Sequence, residues 1–92
     1  MSIKKSISSG ILKVSARIVE EECWLAGAIL TGGSTDSSVI FYDSSNGELG
    51  DKLEVGYIDQ GVPLINFAAH CTEGLYAEIA EGAEYLVLYF IS

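Results

Sequence analysis

The chain is poor in the residues that most active sites and stapled scaffolds need. Its 92 positions hold one histidine, one proline, one methionine, two cysteines and five basic residues. With a single imidazole, any Ser-His-Asp or Cys-His relay would have to run through His70, and no serine or cysteine stands in a nucleophile-elbow context. His70 lies among Phe67, Ala68, Ala69 and Cys71, the setting of a strand end near a core rather than of a catalytic cleft. Cys23 and Cys71 are too few for the disulfide framework of a small secreted domain. With His70 they offer three zinc ligands where a structural site wants four, and they lack the Cys-x-x-Cys spacing. Adjacent strand residues also point to opposite faces, so His70 and Cys71 would diverge in an extended segment. Free thiols are expected, with one disulfide as the alternative.

Basic residues are equally scarce. Against five of them stand 13 acids, for a formal net charge of −8. Phosphate neutralisation supplies most nucleic-acid affinity, so a nucleic-acid partner is not expected. Long apolar runs are missing as well. The longest uncharged stretches, residues 23–35 and 60–72, are 13 residues each and are broken by glycine. A bilayer span needs about 20, so no membrane partner is expected either. Residues 1–6 carry the positive charge of a signal sequence, but residues 7–13 are too polar for its apolar core. A protein that stays in the cytoplasm or joins an assembly is the expectation.

What the chain does have is apolar surface. Hydrophobic residues make up 49% of it, aromatics 10%, and the mean hydropathy is +0.34. So short a chain forms one small domain with much surface for its volume. Its apolar excess therefore predicts contacts with other chains. Charge is unevenly spread. Residues 1–19 sum to +4 through Lys4, Lys5, Lys13 and Arg17, and residues 20–92 sum to −12. A basic arm of residues 1–10 before a domain of residues 11–92 follows, and that arm can meet an acidic protein surface or a neighbouring copy.

Turn signals recur at Gly32-Gly33, Asn46-Gly47, Gln60-Gly61, Glu73-Gly74 and Glu81-Gly82, with short apolar runs between them. That spacing predicts an all-β domain, a small antiparallel β-sandwich of about seven to eight strands, jelly-roll or Ig-like. Strands are expected at residues 11–19, 23–30, 38–42, 52–58, 62–67, 74–80 and 85–91. In the first, Ile11 is the one apolar residue on an otherwise polar side. In the second, Ala26, Gly27 and Ala28 suggest close packing of another element. A short helix around residues 17–25 is the weaker alternative, because no 3.6-residue stripe runs through it. Gly32-Gly33-Ser34-Thr35 lacks the lysine of a phosphate-binding loop and reads as a hairpin turn. The Asp43–Asp51 segment is rich in oxygen ligands, but Glu48 stands where a calcium loop needs its sixth-position glycine. Neither a cofactor nor a metal is assigned.

The last strand bears on function. Tyr85-Leu86-Val87-Leu88-Tyr89-Phe90-Ile91 is apolar on both faces, whereas a half-exposed strand should alternate. One face meets the core. The other needs cover from a loop, from the N-terminal arm or from a second copy, and self-association is the preferred reading. Candidate partner-binding residues are Ile3, Lys4, Lys5 and Ile7 in the arm and Leu86, Leu88 and Phe90 in the strand.

One stretch carries a resemblance. Leu30-Thr31-Gly32-Gly33-Ser34, followed by Ser37-Ser38-Val39 and Tyr42-Asp43, resembles a signature of small virion structural proteins of tailed bacteriophages. Gly74-Leu75-Tyr76-Ala77 and the Gly82–Phe90 stretch, with Tyr85, Tyr89 and Phe90, are similar to that group's ending. The likeness covers residues 28–90 in patches, weakest over 62–70. It implies a sandwich present in several copies, without enzymatic activity, whose partners are other copies of itself and the major capsid protein or another virion protein. The first implied role is a trimeric capsid decoration (cement) protein. The alternatives are a tail, baseplate or fibre-attachment module, or a glycan-binding module on the virion.

Overall fold

The computed structural model describes residues 6–44, 53–64 and 69–91. They form eight strands: β1 (Ile7–Leu12), β2 (Ala16–Val19), β3 (Cys23–Gly32), β4 (Ser38–Asp43), β5 (Leu53–Asp59), β6 (Ala69–Cys71), β7 (Leu75–Ala80) and β8 (Glu84–Ile91). No helix occurs among the described residues, so the alternative at residues 17–25 is replaced by strand and turn.

The strands make two four-stranded sheets, ordered β1-β8-β3-β6 and β2-β7-β4-β5, with every pairing antiparallel. The pairs β1–β8, β2–β7, β3–β6 and β4–β5 nest inside one another. The chain is thus one long hairpin, with β4 and β5 at its tip, rolled until β3 meets β8 and β4 meets β7. This is a jelly-roll order. An Ig-like sandwich would pair β1 with β2, and here those strands lie in different sheets.

That order overturns two readings of the sequence. The expected single strand over residues 11–19 is two strands, because the chain passes from one sheet to the other at residues 13–15. The alternation ran through the break because inward positions keep their parity across the corner. The corner itself is held from outside the segment. The Tyr85 hydroxyl donates to the Val14 carbonyl at 2.8 Å, and the Ile79 amide donates to Ser15 Oγ at 3.0 Å. Likewise the Gly32-Gly33 turn is no hairpin, since β3 and β4 belong to opposite sheets. Ser37 ties this crossing to the neighbouring one: its hydroxyl accepts from the Ser34 amide at 2.9 Å and donates to the Glu81 carbonyl.

Two further boundaries differ. β1 begins at Ile7, inside the stretch read as an arm. Its polar Ser8, Ser9 and Gly10 look like a tail, but Ser9 Oγ accepts the Val87 amide at 3.0 Å where the register shifts between Ser8 and Ile11. In β5 the expected face of Leu53, Val55 and Tyr57 is interrupted by a bulge, which pairs Phe41 with Gly56 but Tyr42 with Glu54. Ile58 and Gly56 consequently turn inward, and Tyr57 stands exposed. Glycine leaves room at position 56, where a Cβ would lie 2.9 Å from a terminal methyl of Leu64 and 3.2 Å from one of Leu25, so a larger residue there requires those side chains to shift. Of the strand expected at 62–67, Val62 and Leu64 make isolated bridges, and residues 65–68 lie outside the described residues.

The core lies between the sheets. Leu25, Val39, Phe41, Ile58, Leu75, Ala77, Tyr85 and Val87 are fully buried there, with the Phe41 and Tyr85 rings edge to face at 6.3 Å. Burial of a whole Leu, Ile or Phe side chain contributes roughly 1.5–3 kcal/mol.

Candidate interaction surface

In β8, Tyr85 and Val87 point into the core, so by the two-residue repeat Leu86, Leu88 and Phe90 point away from it. Directly opposed residues share a face. Ile11 of β1 and Ile29 of β3 flank Leu86, Ser8 and Gly27 flank Leu88, and Trp24 of β3 sits between Phe90 and His70 of β6. The outer face of this sheet therefore carries a large apolar side chain in each of three rows, and the Ile11-Leu86-Ile29 row is apolar throughout. Ile11 is 60% exposed, Ile29 50% and Leu88 36%.

A shallow open groove of about 250 Å³ crosses this face, lined in part by Ala26, Gly27, Ile29, Leu64, Leu86 and Leu88. The small residues make it. A Cβ on Gly27 would come within 3.0 Å of the Leu64 carbonyl oxygen, and glycine lets Leu64 pair with Ala28 through two backbone hydrogen bonds of 3.0 and 2.9 Å. Leu64 thereby prolongs the sheet edge beyond β6.

Polar pairs mark the two ends. Beside the start of β8, Lys13 Nζ lies 3.7 Å from Glu84 Oε1. At the far end His70 Nε2 lies 2.7 Å from Glu22 Oε2, and its ring stacks on the Trp24 indole with centroids 4.8 Å apart. His70 is thus exposed on an edge strand, not a strand end near the core as expected. Cys71, next to it, is fully buried on the opposite face.

The opposite sheet presents a different exterior. Arg17, Tyr76, Tyr42 and Glu54 form one outward row, and Glu78, Ile40 and Tyr57 another. Charge and hydroxyls cover that side, as solvent requires.

The other titratable groups serve the fold. The Asp43 carboxylate accepts the amides of Thr72 at 2.9 Å, Glu73 at 2.8 Å and Gly74 at 3.4 Å, and the Thr72 hydroxyl at 3.1 Å. Burial works to raise its pKa, but these four donors outweigh it and hold the carboxyl below the usual aspartate value. Asp43 belongs to the segment weighed for calcium, and residues 45–51 of that segment lie outside the described residues. Burial, with Tyr76 nearby, pushes the Tyr85 hydroxyl up to about 12. No group of three or more His, Cys, Asp or Glu side chains placed to hold a metal ion occurs among the described residues.

Of the seven candidate partner-binding residues, Leu86, Leu88 and Phe90 come together on the outer face. Ile7 is exposed but opposes inward-facing Tyr89, so it sits at the rim of the sandwich. Ile3, Lys4 and Lys5 lie outside the described residues. The sequence reading omitted Ile11, Ile29 and Trp24. A signal for Ile11 was present in its position on the polar side of its strand, and one for the groove in Ala26-Gly27-Ala28.

Comparison with models of known protein families, with curated proteins and with solved structures finds no match. Fold and surface are therefore the ground for a functional reading.

Proposed function

We propose that this protein is a non-enzymatic structural component of a tailed-bacteriophage virion, a capsid decoration (cement) protein acting as a homotrimer. The observation that carries the proposal is the solvent-facing row of Ile11, Leu86 and Ile29 beside exposed Leu88. Four large aliphatic side chains on one sheet face form a patch of the kind that marks an interaction site. Ile11 and Ile29 are at least half exposed, Leu88 about a third and Leu86 less, so covering each of the two isoleucines gains on the order of 1 kcal/mol before association costs.

Charge selects the occupant. The body of residues 20–92 sums to −12, and another acidic surface would be repelled. A neighbouring copy brings Ile3, Lys4 and Lys5, which pair apolar bulk with positive charge, to a greasy face edged by Glu84 and Glu22. A head-to-tail contact of this kind gives a closed ring where its rotation is 120°, which is the geometry a trimer requires. The jelly-roll order is compatible with a virion role, since the architecture serves viral capsid proteins among many others. The likeness of residues 28–43 and 74–90 to small virion proteins supplies the rest. Bound only to the assembled shell, such a ring stabilises it by mass action.

Sedimentation of the full chain tests the assembly. A trimer that falls to folded monomers on Leu88→Glu, and on deletion of residues 2–5, is expected. A full chain that stays monomeric at high concentration overturns the proposal. Copies per virion test the place: hundreds agree with the head, and a dozen or fewer replace that role with a tail or baseplate one.

A further inference from the structure

From their place in the sheet we infer that Cys23 and Cys71 are a thiol pair built to close into an intramolecular disulfide between β3 and the edge strand β6. The two residues stand 48 positions apart in sequence, yet the antiparallel register sets them directly opposite each other. Directly opposed residues have Cα atoms about 4.5–5.5 Å apart, within the 4.4–6.8 Å that disulfides span. Both side chains are fully buried and face the same interior, while their neighbours Trp24 and His70 face out. Hydrogen bonding to Cys23, together with burial, pushes the Cys71 thiol up, and the same contact pulls Cys23 down against its own burial.

Access comes from the weakness of β6. The strand has three residues and, among the described residues, pairs only with β3, so it can open without breaking another strand pair once the Asp43 bonds to Thr72 and Glu73 give way. With a small-molecule disulfide such as oxidised glutathione as oxidant, one of the two cysteines, as its thiolate, attacks one glutathione sulfur and expels the other as a thiolate. The other cysteine, deprotonated in its turn, attacks the cysteine sulfur of the mixed disulfide and expels the second glutathione thiolate. The protein loses two protons and two electrons, and one glutathione disulfide becomes two thiols. The product ties the loosest strand of this sheet to its centre and closes a long loop, which restricts the unfolded chain.

The full chain is incubated over a range of reduced to oxidised glutathione ratios; one portion is quenched, unfolded and alkylated for intact mass, and a second, native portion is melted. Expected is a monomeric chain about 2 Da lighter that takes up no alkylating label, with a midpoint raised by roughly 10 °C or more. Cys71→Ser and Cys23→Ser should each abolish both changes. Two labelled thiols at every ratio, or oxidation that stops at glutathione adducts or joins separate chains, overturns the inference. The readout on the wild-type chain holds even where a serine variant fails to fold.

Discussion

Ile11 of β1 and Leu86 of β8 oppose each other directly across the sheet, and both side chains stand on its solvent side. A cross-strand aliphatic pair contributes roughly 0.2–1 kcal/mol within its own sheet. That is little reason for a 92-residue acidic protein to leave an isoleucine 60% exposed there. Ile11→Lys should therefore lower the stability of the isolated subunit by less than about 1 kcal/mol and weaken self-association at least tenfold. Thermal melting at low concentration reads the first, and sedimentation over a concentration series reads the second.

Tyr85 makes a prediction at high pH. Its folded pKa is raised above the unfolded one, so the neutral phenol contributes stability that is fully present below about pH 10 and lost as the pH rises through about 12. Tyr85→Phe should remove this alkaline limb. It should also cost about 1 kcal/mol at neutral pH, because the bond to Val14 is lost while the Val14 carbonyl, at an exposed residue, can still meet water. Chemical denaturation between pH 7 and pH 12 measures both.

Asp43 makes the converse prediction. Its folded pKa is lowered, so its contribution is present above the ordinary aspartate value near 4 and lost as the pH falls through the lower folded value. Asp43→Ala should destabilise by about 1–3 kcal/mol at neutral pH by leaving the Thr72 and Glu73 amides unpaired, and should flatten the acid limb. Urea titrations at pH 3, 5 and 7 would show it. Equal losses for Asp43→Ala at all three values would contradict the assignment.

Glu81 carries a φ of 56° without being glycine. A left-handed conformation costs an ordinary residue about 1 kcal/mol. The bond from Ser37 is made to the Glu81 backbone carbonyl and survives any side chain. Glu81→Gly is expected to raise stability by about 0.5 kcal/mol, a gain of a few degrees in melting temperature.

The legible part of this protein was local. Alternation placed Val39 and Phe41 on one face of their strand, and both are core residues. Glycine-bearing turn signals placed most strand ends within two residues of where they fall. The doubly apolar run at residues 85–91 singled out β8, whose inward half is core and whose outward half lies on the open face. These follow from side-chain periodicity and turn chemistry, which act between residues close in the chain.

What the tertiary structure decided were matters of partnership between distant residues. Residues 13–15 became a corner because Tyr85 and Ile79 reach them from the far end of the chain. A bulge opposite Phe41 reversed the faces of β5, and jelly-roll rather than Ig-like order arose from which strands found each other. Ile11, Leu86 and Ile29 share a row, and Cys23 meets Cys71, only because pairing brings together strands that lie tens of residues apart. A period of two residues tells which side of a strand a side chain takes, but not which strand lies beside it. That depends on the whole set of sheet pairings and on the packing between the sheets.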